Sequence, residues 1–117
     1  MPRAMRVKGG PASRRKHKRI LEATKGYRMS KSKLWRAAHE AYLHAGNYAF
    51  AGRKARKRDF RTLWITRINA ALKPFDISYS VFIKKLADKK IIFNRKSLAE
   101  LALNNPTSFE KIVKKVA

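Results

Sequence analysis

No cysteine occurs in the 117 residues, which excludes disulfides, thiolate chemistry and Cys-ligated zinc. Acidic residues are scarce: seven Asp and Glu stand against 30 Lys and Arg, for a formal net charge of +23. No apolar run approaches the roughly 18–20 residues that a membrane span requires. The N-terminal stretch is basic but has no apolar core region, so it does not read as a secretory signal. There is no Gly-rich phosphate loop, no internal repeat and no nucleophile motif. The five acids after residue 58, Asp59, Asp76, Asp88, Glu100 and Glu110, are dispersed, and none pairs closely with a His. An enzyme is therefore not expected, and neither a catalytic residue, a metal ligand nor a cofactor is assigned.

What is present is charge on a chain that still has a globular apolar content, 44%, so this is not simply a disordered basic tail. A surplus of 23 positive charges on a small chain repels itself and needs a polyanion partner. The charge is unevenly spread. Residues 1–58 carry +16, with Glu22 and Glu40 their only acids, and residues 59–117 carry +7. Large apolar residues at helical spacing concentrate in the second part. The sequence thus predicts an all-α protein with two parts: a basic helical N-terminal arm over 1–58, ordered by RNA, and a small helical domain over 59–117.

Pro2, Gly9, Gly10 and Pro11 predict an irregular tail over residues 1–12. Ser13 is the expected cap of a helix running to Ala23, with little apolar face beyond Ile20 and Leu21. Such a helix is not expected to be stabilised by packing within the chain and should order on a partner. Gly26 is expected to end it in a Lys25-Gly26-Tyr27 turn. Ser30 or Ser32 should cap a long helix from Lys33 to Leu72, weakened at Gly46 and Gly52 by about 1 kcal/mol each relative to Ala, with a bend between them. Pro74 should stop it. Three short helices follow: one capped near Ser78 with Phe82 and Leu86, one capped by Asn94 with Leu98, Leu101 and Ala102 inward, and one capped by Thr107 with Phe109, Ile112, Val113 and Val116 on one stripe. Ile91-Ile92-Phe93 has no partner strand and reads as a buried linker. On the long helix, Phe60, Trp64, Ile68 and Ala71 share one face, which predicts that Trp64 lies at the centre of the core stripe.

The densest cationic run is Arg53-Lys54-Ala55-Arg56-Lys57-Arg58, followed by Arg61. On a helix these side chains point nearly all round, as suits a segment surrounded by its ligand. No acid between Glu40 and Asp59 offsets their repulsion, and phosphate contact is the expected role. Arg14, Arg15, Lys16, Lys18 and Arg19 form a second cluster with the same expectation. His17, amid these cations, is expected to touch nucleic acid. Tyr27, Trp35, Tyr42, Tyr48 and Phe50 interleave with the basic residues and could stack on unpaired bases, which favours RNA over duplex DNA; for Trp35 and Tyr42 the alternative is packing on a neighbouring helix or a partner protein. Arg67 lies on the apolar stripe, and either pairs with Asp76 or Asp88 or reaches a phosphate at the edge of the core. His39 and His44 are five residues apart, about 140° round a helix, which fails the i, i+4 geometry of a HExxH zinc site. They are expected to touch RNA or water. Lys84, Lys85, Lys89, Lys90, Arg95 and Lys96 predict a basic patch on the C-terminal domain.

The run KRDFRTLWITRINAA, with Lys57, Arg61, Trp64, Ile65, Arg67, Ile68 and Asn69, resembles the signature of the bacterial large-subunit ribosomal protein family numbered twenty. RRKHKRILEATKGY resembles its basic N-terminal helix and Lys-Gly-Tyr turn, and HAGNYAFAGRKARKRDF its mid-helix segment. Ile77-Ser78-Tyr79-Ser80 and Asn94-Arg95-Lys96 resemble its C-terminal domain. The resemblance implies a helical arm threaded into large-subunit rRNA, a role in early subunit assembly and no part in peptide-bond chemistry. It implies proximity to the ribosomal proteins numbered thirteen and twenty-one and, in some members, repression of the protein's own messenger RNA through its leader. It places the protein in a cytoplasmic ribosome of bacterial type, an organellar ribosome being the alternative.

The rivals come from other classes. A DNA-compacting nucleoid protein would bind duplex DNA as well as structured RNA. A membrane-active protein would need a wide apolar face opposite its cations, which residues 53–58 lack. An RNA-modifying enzyme would need a cofactor motif. Neither a membrane nor a small-molecule substrate is expected as a partner.

Overall fold

The computed structural model describes residues 6–117; the part of the predicted N-terminal tail at residues 1–5 lies outside them. Every regular element among the described residues is helical. In chain order they are α1 (Pro11–Ala23), a 3₁₀ turn (Met29–Ser32), α2 (Trp35–Leu72), a second 3₁₀ turn (Lys73–Phe75), α3 (Tyr79–Asp88), α4 (Arg95–Asn104) and α5 (Pro106–Val116). The chain divides into two compact units, Met1–Arg53 and Lys54–Ala117. This division falls upstream of the change in charge at Arg58, and α2 contributes residues to both units.

In the first unit, α1 begins earlier than the sequence predicts. Gly10 is its N-cap and Pro11 its first residue. The ring of Pro11 presets φ, and its missing N–H would have had no partner there in any case, so the start does not depend on Ser13. Thr24 closes α1. It is the one buried polar residue among the described residues of the unit, and its hydroxyl donates to the carbonyls of Ile20 and Leu21 at 3.1 and 3.4 Å. Gly26 follows with φ +88, in a turn closed by Tyr27 N–H donating to Thr24 O at 3.0 Å; positive φ at the third turn position favours glycine. Neither expected serine cap of α2 forms by side chain. Residues 29–32 instead make a 3₁₀ turn in which the Ser32 hydroxyl donates back to Met29 O at 3.1 Å, and α2 proper starts at Trp35. Helix then runs without interruption through Gly46 and Gly52.

The second unit holds the hydrophobic core. Ile68 and Leu72 of α2, Phe82 and Leu86 of α3, Leu98 and Ala99 of α4, and Phe109, Val113 and Val116 of α5 bury together. The three- and four-residue spacings in α2, α3 and α5 put one stripe of each of those helices inward, and α4 turns the adjacent Leu98 and Ala99 to the core. The Phe82 and Phe109 rings meet at 6.0 Å and 51°, within the tilted range aromatic pairs prefer. Pro74 stops α2 and opens the 3₁₀ turn that leads to α3. Asn94 caps α4 as the sequence predicts, its Oδ1 accepting from Ser97 N–H at 2.7 Å. Thr107 does not cap α5. Asn105 takes that position and Pro106 is the first helical residue, because a proline at N1 sets where the helix begins.

The 91–93 segment is not a buried linker. Ile91 packs against the core, but Ile92 is 97% exposed and Phe93 48%. Helix α3 ends in a Schellman motif: Lys90 has φ 56, Lys90 N–H donates to Ala87 O, and Ile91 N–H donates to Leu86 O, both at 3.0 Å. That motif brings the residue after the left-handed position back onto the last helical turn. Ile91 is therefore tied to Leu86, and the two residues after it run free of the core.

Candidate nucleic-acid interface

Five cations crowd the middle of α1, a helix in which no residue is fully buried. Arg14, Arg15, Lys16, Lys18 and Arg19 are all exposed. Arg14, Arg15 and Lys18 share one side with Pro11 and line a shallow depression there, while the helical repeat turns Lys16 and Arg19 elsewhere. On α2, Arg53, Lys54, Arg56, Lys57, Arg58, Arg61 and Arg67 are likewise exposed. Thr62 and Thr66 on the same stretch donate their hydroxyls to the carbonyls of Arg58 and Thr62 at 3.0 and 2.9 Å, so these two hydroxyls are engaged within the helix. The structure brings no carboxylate onto Arg56, Lys57, Arg58 or Arg61. Arg67 pairs with neither Asp76 nor Asp88. An ion pair joins Lys114 to Glu110 at 3.9 Å on exposed faces of α5.

The histidines and Trp35 are arranged otherwise than expected. The Trp35 ring is sandwiched between His17 of α1, at 4.4 Å and 32°, and His39 of α2, at 4.9 Å and 14°. His17 and His39 thus pack within the protein. His44 faces Tyr48 at 6.1 Å and 23°. For Trp35 the packing alternative holds, and α1 gains an intramolecular anchor that its sequence does not advertise. Tyr42, Tyr48 and Phe50 have exposed rings and Tyr27 a partly exposed one. Among the described residues no three His, Asp or Glu side chains gather as a metal site, and no helix is long and apolar enough to cross a membrane.

Part of the predicted C-terminal patch is occupied by structural work. Arg95 Nε donates to the Tyr79 hydroxyl at 2.8 Å. Lys89 Nζ donates to Lys115 O at 2.6 Å, at the negative end of α5. Lys84, Lys90 and Lys96 remain on the surface.

Trp64 is not at the centre of the core. It is half-buried, with one side on the core cluster and the other lining a groove of about 560 Å³. Phe60 and Leu63, 47% and 40% exposed, share the groove wall, and the Phe60 and Trp64 rings lie 6.0 Å apart at 31°. Cations of two helices stand around them: Arg56, Lys57 and Arg67 from α2 and Lys96 from α4, together with Glu100. Sequence spacing could not reveal this site, because it joins one side of α2 to residues some thirty positions away.

The class that the described residues define is an all-helical protein with strongly basic, exposed helices. Comparison with known sequences then supplies the particular family: the family described as Ribosomal protein L20 matches residues 6–112. The chain is 52% identical over 108 residues to the Large ribosomal subunit protein bL20 of Caldanaerobacter subterraneus subsp. tengcongensis, covering 92% of this chain and 91% of that one. It is 48% identical over 111 residues to the protein of the same name from Mycoplasmopsis synoviae, covering 95% and 96%. It is 46% identical over 110 residues to the Large ribosomal subunit protein bL20c of Guillardia theta, covering 94% and 96%. The chain belongs to the ribosomal protein L20 family. As a member it is a structural constituent of the large ribosomal subunit and not an enzyme.

Proposed function

We propose that the protein binds large-subunit rRNA directly, holding RNA helices together through the cations of α1 and α2 while the second unit seats against a folded RNA surface. The observation that carries this reading is the exposure of every one of the basic residues the sequence nominates on α1 and α2. Exposed cations at this density gain most by displacing condensed counterions from a nucleic-acid backbone. The exposed Tyr42, Tyr48 and Phe50 add surfaces suited to splayed bases, which structured RNA supplies and duplex DNA does not. On this reading the protein joins early in subunit assembly, since it brings distant RNA segments together before other surfaces form. The ribosomal proteins numbered thirteen and twenty-one are its proposed neighbours, its own mRNA leader a second RNA target, and a cytoplasmic ribosome its location.

The test is competition binding of the full-length protein to large-subunit rRNA fragments against duplex DNA at equal phosphate concentration. Selective retention on one rRNA fragment is expected. Equal displacement by DNA would instead favour the nucleoid-protein reading.

A further inference from the structure

The groove beside Trp64 has a composition that a phosphate-binding face does not need. Its wall is aromatic and apolar, made by Phe60, Leu63 and the open side of Trp64. Its volume, about 560 Å³, falls within the range of small-ligand sites. Four cations surround it, and among them stands one carboxylate, Glu100, which forms no ion pair with any of them. Cations alone would serve a phosphate, and aromatic rings alone would serve any base. A carboxylate placed there repels phosphate, and it accepts hydrogen bonds without donating any.

We propose that this groove receives a single unpaired guanine extruded from folded RNA. The inference rests on the reading of the protein as an rRNA binder and specifies one contact within it. The base stacks on the exposed side of Trp64, with Phe60 against its edge. Arg56, Lys57, Arg67 and Lys96 take the phosphates on either side. Glu100 accepts from the guanine N1–H and N2–H, the one Watson–Crick edge that presents two adjacent N–H donors to the two oxygens of a carboxylate. Adenine, cytosine and uracil each offer a single donor group there. The excess of cations on the rim argues against a segment of another protein as the occupant, because only a strongly acidic peptide would match it.

The experiment measures binding of the full-length protein to hairpin RNAs of identical stem, carrying no bulge, one bulged guanosine or one bulged adenosine, at about 0.15 M salt. Stacking of one base predicts that the bulged-guanosine hairpin binds about 5- to 150-fold tighter than the unbulged stem. It should also quench Trp64 emission in a Trp35→Phe background. Trp64→Leu should abolish the bulge advantage, and Trp64→Phe, which keeps an aromatic face and the packing, should retain part of it. Glu100→Gln, at an exposed position, should leave the bulge advantage and remove the preference for guanosine over adenosine. Tight binding of all three hairpins without a bulge preference, or without quenching, overturns the inference and leaves the rRNA reading intact. Failure to bind any of them better than duplex DNA overturns both. A preference for guanosine that survives Glu100→Gln overturns the role of the carboxylate. Guanosine monophosphate, which carries only one of the two flanking phosphates, should not compete at the hairpin's concentration; if it does, the groove is a free-nucleotide site and the RNA assignment is wrong.

Discussion

His17 of α1 lies against the Trp35 indole of α2 with ring centroids 4.4 Å apart. No α1 residue is fully buried, so this contact, with half-buried Ile20 and Leu21, carries much of what holds that helix in the free protein. Aromatic pairs contribute about 0.5–1.5 kcal/mol beyond the area they bury. Trp35→Leu should therefore loosen α1 selectively. Hydrogen exchange would show faster exchange across residues 14–23, with α3, α4 and α5 unchanged. Equal loss of protection throughout the chain would contradict this.

The nine residues of the hydrophobic core all lie in the second unit, whereas the described residues of the first unit bury only Thr24 and Ala38. A fragment of residues 54–117 should melt cooperatively in low salt, and a fragment of residues 1–53 should not. Circular dichroism melts of the two decide it.

Core substitutions should rank by burial. Phe109→Ala, at a residue 2% exposed, should cost about 3–5 kcal/mol. Phe60→Ala, on a side chain nearly half exposed, should cost less than about 1 kcal/mol in the free protein. Trp64→Ala should fall between them. Denaturant midpoints at constant slope measure all three.

The ends of α3 and α4 permit a pair of tests with opposite signs. Removing the side-chain cap by Asn94→Ala should destabilise by about 0.5–2 kcal/mol. Lys90 holds a left-handed conformation that costs a non-glycine residue about 1–2 kcal/mol, and glycine's greater unfolded-state freedom offsets part of that. Lys90→Gly should thus stabilise by up to about 1 kcal/mol. Thermal melts should show Tm moving down in the first variant and up in the second.

Arg56, Lys57 and Arg58 are exposed without carboxylate partners. Changing all three to Gln should lower the slope of log affinity against log salt by about 2–3, near the 0.7–0.9 per phosphate expected of nucleic acid contacts. Titrations across a salt series give that slope directly, and an unchanged slope would mean these cations face water in the complex.

The class of fold, the extent of the long helix and the surplus of positive charge were legible in the residues themselves. Periodicity, capping side chains such as Asn94, and net charge are local or additive properties, and they act the same way whatever the chain packs against. The inward stripes of α3, α4 and α5 were readable for the same reason, since Phe82 and Leu86, or Phe109, Val113 and Val116, repeat at the helical period. Which part of the α2 stripe enters the core was not readable. Phe60, Trp64 and Ile68 are equivalent by spacing, and only the positions of α3, α4 and α5 bury Ile68 completely, cover one side of Trp64 and leave Phe60 open. The same holds for the contact between His17 and Trp35, which forms only once the turn at residues 24–34 brings the two rings together. Burial is settled by what stands opposite a side chain, and that neighbour comes from a distant part of the sequence. Charge, periodicity and caps belong to the chain, but the groove that joins Trp64 to Glu100 exists only once α4 lies beside α2.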